Sequence, residues 1–119
     1  MSSTNRGAVR RDNDAYMTPP WLAEAIMPEL QRRLMASFVP GVPFTVLEPA
    51  CGDGAIVRAL EKRLVCTVTA WDLAAGQNFF AAQPWAPGYD LIITNPPYAL
   101  AWDFLQHAMC FRRSQVSFV

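Results

Sequence analysis

The sequence predicts an α/β fold built on a mostly parallel sheet, and three observations carry the prediction. Short apolar runs with β-branched residues alternate along the chain with stretches whose apolar residues recur every fourth position. Their order is strand, helix, strand, strand, helix, strand, which implies right-handed crossovers between parallel strands. Each segment combining Gly, Pro, Asp or Asn with potential chemistry follows directly on a strand, the edge at which parallel sheets bind their ligands.

The elements follow in order. Residues 1–14 are polar and carry Arg6, Arg10 and Arg11; they read as a mobile arm ahead of a domain over 15–119. After Thr18-Pro19-Pro20, the residues Leu22, Ile26, Leu30 and Leu34 form the apolar stripe of a helix. Pro28 falls inside that helix and predicts a kink or a break into two short helices. A Pro-Gly-Val-Pro turn at 40–43 leads into a short strand, Phe44 to Glu48. The turn Cys51-Gly-Asp-Gly54 then opens a second helix with Ile56, Leu60 and Leu64 on its apolar side. Cys66 to Trp71 is a second strand, and a short one is expected around Asn78-Phe79-Phe80. Tyr89 to Ile93 is the clearest strand, followed by Thr94-Asn-Pro-Pro-Tyr98 and a helix carrying Leu100, Phe104 and Ala108. Gln115 to Val119 alternates like the start of another strand.

Composition limits the function classes. The chain has 119 residues, 52% of them hydrophobic and 17% charged, enough for one core and one domain. Ten Lys+Arg balance ten Asp+Glu, so a compact phosphate-neutralising surface is not expected within these residues. No run approaches the roughly 18 apolar residues of a membrane span, and the polar N-terminus lacks the apolar region of a signal peptide. Cys51, Cys66 and Cys110 include no CxxC pair, and His107 is the single histidine. Neither a zinc site nor a disulfide framework is expected, and the setting reads as reducing and intracellular.

Four segments could carry chemistry. In Glu48-Pro-Ala50-Cys51-Gly52-Asp-Gly54, two glycines between strand and helix allow close backbone approach to a ligand; a plain turn with Asp53 as helix cap is the alternative. Val57 stands where a dinucleotide fingerprint needs a third glycine, and Glu48 suits a ligand bearing an ammonium or sulfonium. Asp72, next to Leu73, follows the second strand and could accept both hydroxyls of a ribose or simply cap a turn. Asn95-Pro96-Pro97-Tyr98 offers stiffened carbonyl acceptors, an amide oxygen and a flat ring, a set that suits a planar substrate presenting an amino group. Tyr16-Met-Thr18-Pro19 reads by itself as a helix start, with Thr18 as N-cap and Pro19 at the first helical position.

Taken together, these segments resemble the S-adenosylmethionine-dependent N6-adenine DNA methyltransferases, over roughly residues 14 to 119. With the Thr-Pro segment first, the order is similar to the gamma-type arrangement of that family. Asn-Pro-Pro-Tyr is shared with protein-glutamine and some ribosomal-RNA methyltransferases, and Tyr16-Met-Thr-Pro19 tilts the choice to DNA adenine. The resemblance implies a Rossmann-like methyltransferase fold, here its N-terminal part. Further strands and a target-recognition region would complete it, and DNA would be held mainly through them. It further implies that Tyr16 and Thr18 border the cofactor, with Thr18 on its methionine carboxylate. Glu48, Ala50, Cys51 and Gly52 would hold its amino-acid part, Asp72 with Leu73 its ribose, and Asn78-Phe79 its adenine, where the family usually has Asp-Phe. The target adenine would flip out and stack on Tyr98 while Asn95 and the Pro96 carbonyl accept hydrogen bonds from N6. Pro97 stiffens that turn. Cys51 reads as a small turn residue and His107 as structural or surface. A cytoplasmic role in a bacterial or phage-like setting, restriction-linked or regulatory, follows from the family. Alternatives are methylation of a protein glutamine or of RNA, or a catalytically silent fragment that binds the cofactor.

Overall fold

The computed structural model describes residues 17–82, 88–111 and 114–119. The expected polar arm and Tyr16 lie outside them. The described chain is an α/β, Rossmann-like fold. A helix α1 (Pro20–Leu34) is followed by a 3-10 turn (Met35–Ser37), strand β1 (Phe44–Glu48), helix α2 (Ala55–Arg63) and strand β2 (Cys66–Ala70). Two 3-10 turns (Leu73–Ala75 and Phe79–Ala81) precede strand β3 (Leu91–Thr94). A third (Tyr98–Leu100) opens helix α3 (Ala101–Ala108), and strand β4 (Gln115–Phe118) completes the order.

The four strands form one parallel sheet in the order β2-β1-β3-β4. Phe44 pairs with Cys66 and Glu48 with Ala70, Val46 pairs with Leu91, and Leu91 pairs with Gln115. The chain steps outward from β1 to β2, then returns across β1 to place β3 on its other side. That reversal falls between the carboxyl ends of β1 and β3, the position at which open α/β sheets bind ligands.

Side chains alternate across the sheet with the period of two expected of strands. Val46, Leu91 and Ile93 face a cluster with Ala23, Met27 and Leu30 of α1 and Ile56 and Leu60 of α2. Leu47 and Ile92 face the opposite cluster with Phe79, Phe104, Ala108 and Phe111. All of β3 is buried, as a central strand covered on both faces should be.

Three expectations need correction. The break into two short helices does not occur, since α1 runs from Pro20 to Leu34 through Pro28. Pro28 lies on the exposed side, where the carbonyl it leaves unbonded can turn to water. The buried stripe of α1 is Ala23, Met27, Leu30 and Leu34, with Leu22 and Ile26 only half-buried. A strict spacing of four drifts by about 40° per step around a 3.6-residue helix, so the earlier members of the predicted stripe rotate off the core. No strand forms around Asn78–Phe80. The Asn78 side chain accepts a hydrogen bond from the Phe80 N–H at 3.0 Å, and this local turn competes with ladder pairing. Phe79 is then carried inward, where it meets Phe104 (ring centroids 5.3 Å), Phe111 (5.7 Å) and the His107 ring edge-on (4.7 Å).

Candidate functional site

The site starts from the last residue of β1. Glu48 is only 1% exposed, and Thr94, the last residue of neighbouring β3, is 0% exposed. The Glu48 carboxylate accepts the Ala50 N–H at 2.7 Å, which folds the chain sharply at Pro49. The buried Thr94 hydroxyl closes no hydrogen bond of good geometry, although it lies near enough to Glu48 to favour the ionised carboxylate. Burial dominates and pushes the Glu48 carboxyl up to about 8, with the Asp72 charge adding to the rise. A carboxyl held neutral here is poised to ionise when a cation arrives.

The turn after β1 is tied to the loop after β2. Cys51 N–H donates to the Trp71 carbonyl at 2.8 Å and Trp71 N–H to the Glu48 carbonyl at 2.9 Å. Asp72 closes the tie: one carboxylate oxygen accepts the Gly52 N–H at 2.7 Å and the other the Ala74 N–H at 2.9 Å. Asp72 therefore caps the Leu73–Ala75 turn and also clamps the glycine turn. A carboxylate offers about four lone-pair positions, so two bonds leave acceptor capacity for a ribose.

Gly52 adopts φ +54°, and a Cβ there would stand 2.9 Å from the Met17 sulfur. The glycine is thus favoured by its left-handed backbone, whereas the Met17 side chain over it is flexible and could shift aside. Gly54 has φ +87° and precedes α2, where the Asp53 carboxylate accepts the Ala55 N–H at 3.3 Å. Asp53 is not the N-cap expected of it: Gly54 takes that position with no side-chain cap, and the Asp53 contact to Ala55 N–H comes from one residue earlier. The Cys51 thiol is pushed up by burial and by the Glu48 and Asp72 carboxylates, which keeps it protonated and suits a small turn residue.

The Asn-Pro-Pro-Tyr segment begins where β3 ends. Pro96 and Pro97 are buried, Asn95 is half-buried and Tyr98 is exposed, so the stiff part is anchored and the ring faces outward. Asn95 Nδ2–H donates to the Thr18 hydroxyl at 3.1 Å, across 77 residues of sequence. Thr18 is buried and makes no helix cap; Pro19 is the N-cap of α1 and supplies its carbonyl to the Leu22 and Ala23 N–H groups. The helix-start reading of Thr18 is corrected on this point, because the second proline moves the first helical position to Pro20 and frees the hydroxyl.

Glu48, Ala50, Cys51, Gly52, Asp72 and Leu73 are thereby joined along the carboxyl edge of β1 and β2, with Thr18 and Asn95–Tyr98 beside β3. Asn78 stands apart, its amide oxygen already bonded to Phe80 N–H, and Phe79 is 2% exposed within the core. His107 is structural: its Nε2 lies 3.1 Å from the Ala82 carbonyl, an acceptor that requires the proton on Nε2. A groove of about 460 Å³ lies elsewhere, between α3 and β4, lined by Leu105, Met109, Phe111, Ser114, Val116 and Phe118. Its single hydroxyl, on Ser114, donates to the Tyr89 carbonyl, and none of these lining side chains titrates. Sequence reasoning gave no role to Met17, whose sulfur lies over the Gly52 backbone, 2.9 Å from where a Cβ would stand.

Among the described residues no group of three His, Cys, Asp or Glu side chains could hold a metal ion, and no helix is long and apolar enough to cross a membrane. No protein-family model matches the chain and no curated protein matches it. What the fold and site define is a class: a Rossmann-like α/β domain with two carboxylates and a glycine turn gathered at the carboxyl edge of its strand reversal.

Proposed function

We propose that this chain binds S-adenosylmethionine and carries the site for methyl transfer to the N6 amino group of a flipped adenine in DNA. The single observation that carries the reading is the Asn95–Thr18 bond. It joins the two proline-stiffened segments of the family pattern beside the glycine turn and Asp72, at the carboxyl edge where this sheet order favours a ligand. The residues present fit the cofactor. Gly52 leaves its backbone uncovered by a Cβ, Asp72 keeps acceptor capacity, and the buried Glu48 answers a cationic ligand.

Bound, the cofactor supplies an electrophilic methyl on a sulfonium. The chain's own residues do the rest. Asn95 Oδ1 and the Pro96 carbonyl accept hydrogen bonds from the two N6–H groups, drawing electron density onto a nitrogen that is otherwise conjugated into the purine. The proton N6 loses on methylation passes to solvent. Tyr98, exposed at the rim, offers a face for the base to stack on. Positioning of nitrogen against methyl, without a covalent enzyme intermediate, is the main source of rate. Cys51 takes no part as a nucleophile.

The test is calorimetric titration with S-adenosylmethionine, followed by transfer of labelled methyl to duplex DNA. Wild type binds and transfers. Asn95→Ala and Tyr98→Ala retain cofactor binding and lose transfer by about 100-fold or more. Full activity in either variant, or label appearing only on RNA or on a glutamine peptide, overturns the adenine assignment.

A further inference from the structure

We propose that Thr18 is a positioning residue for Asn95, orienting its amide for the incoming amino group. The inference rests on the methyl-transfer reading for its purpose and on the geometry for its substance. A target amino group offers only protons, so Asn95 serves it only through Oδ1. The amide is planar and its terminal torsion roughly two-fold. The same side chain turned by half a revolution would present Nδ2–H and repel the substrate. Something on the far side has to take the amide protons, and the Thr18 hydroxyl does so at 3.1 Å.

The support on both sides of that bond is stiff for the same reason. Thr18 precedes Pro19-Pro20 and Asn95 precedes Pro96-Pro97. A proline restricts the residue before it to extended backbone and fixes its own φ. Pro19 is extended accordingly, at φ −61° and ψ 139°. Thr18 is 8% exposed and does no capping, as α1 has no side-chain cap at its N-terminus. The threonine best placed for ordinary helix-start chemistry thus commits its oxygen to a residue 77 positions away. Among the described residues, this polar contact links the segment that comes first in the chain to Asn95.

Thr18→Val keeps the shape and removes the acceptor, Thr18→Ser keeps the hydroxyl, and Thr18→Ala provides a second deletion should valine pack poorly. Two readouts separate the possibilities. The first, independent of activity, is the Asn95 side-chain amide resonance in 15N NMR, assigned by its absence in Asn95→Ala. Solvent exchange of that amide accelerates about tenfold in Thr18→Val, the weight of one hydrogen bond, and stays within about twofold of wild type in Thr18→Ser. The second is kinetic: in Thr18→Val kcat falls by about tenfold to a hundredfold, while cofactor Kd stays within about twofold. Unchanged amide exchange in Thr18→Val overturns the proposal. So does a tenfold weaker cofactor Kd with kcat intact, which would return Thr18 to the cofactor. Absence of methyl transfer by wild type overturns the functional reading alone, and the amide readout still decides the role of Thr18.

Discussion

Replacing Glu48 with glutamine is expected to stabilise the protein in alkali and leave it unchanged in acid. Glu48 is 1% exposed, and burial, with Asp72 nearby, raises its carboxyl from 4.5 to about 8. The folded state therefore holds a proton that the unfolded chain releases between those limits. The stability this proton confers is fully present below about pH 4.5 and is lost as pH rises through about 8. At about 1.36 kcal/mol per pH unit, the interval corresponds to a loss of order 5 kcal/mol between pH 4 and pH 9. The glutamine side chain keeps an oxygen for the Ala50 N–H, 2.7 Å from the carboxylate in the wild type. It also supplies an N–H for the Thr94 hydroxyl, which lacks a partner, and it has no charge to desolvate. Urea unfolding of wild type and Glu48→Gln at half-unit pH steps measures the difference directly, because every other titrating group is common to both. The expected gap is near zero at pH 4 to 5 and widens to several kcal/mol in favour of the variant by pH 9. Parallel curves would refute the claim that a buried neutral carboxyl sits at the end of β1.

Other outcomes follow from the same geometry. If a cation ionises Glu48, S-adenosylmethionine binds more tightly as pH rises from 6 towards 8. Titrations in buffers of different ionisation enthalpy then report a released proton, which Glu48→Gln abolishes. Phe79→Ala empties the centre of the aromatic cluster with Phe104 and Phe111 and costs about 3–5 kcal/mol in urea unfolding; a cost below about 1 kcal/mol would place Phe79 outside the core. Gly52→Ala forces a Cβ into φ +54° and loses about 1–2 kcal/mol of stability, while Met17, at the flexible end of its side chain, yields. An unchanged melting temperature would deny the left-handed turn.

Much of this was legible in the sequence because the decisive signals were local. β1 begins and ends where Pro43 and Pro49 bracket an apolar run, and β3 ends at a double proline that cannot donate to a ladder. The glycine turn and the residue after β2 were readable as neighbours because a parallel sheet brings successive carboxyl ends to one edge. What was not legible is non-local. Whether a threonine before proline caps its helix or spends its oxygen elsewhere depends on a partner 77 residues away. Whether Asn78 starts a strand depends on whether its amide closes on Phe80 first. Nor does the identity of Glu48 reveal its ionisation, since the displacement comes from burial beneath two flanking elements.

The site's architecture follows from how it is supported rather than from how many groups it has. The two acceptor-bearing turns differ in what holds them. The turn after β1 is pinned by hydrogen bonds, from Ala50 N–H to Glu48, from Cys51 N–H to Trp71 and from Gly52 N–H to Asp72. Beyond β3 the chain has two prolines with no N–H to give, so that turn is held by buried rings and by its side-chain bond to Thr18. A hydrogen-bonded turn can exchange a backbone partner for a ligand, as a cofactor pocket must. A proline-stiffened turn has fixed carbonyls and no such exchange available, which would suit the acceptor side of the proposed methyl transfer. On the methyl-transfer proposal, the division between a yielding cofactor side and a rigid acceptor side would follow from where glycine and proline stand relative to the ends of β1 and β3.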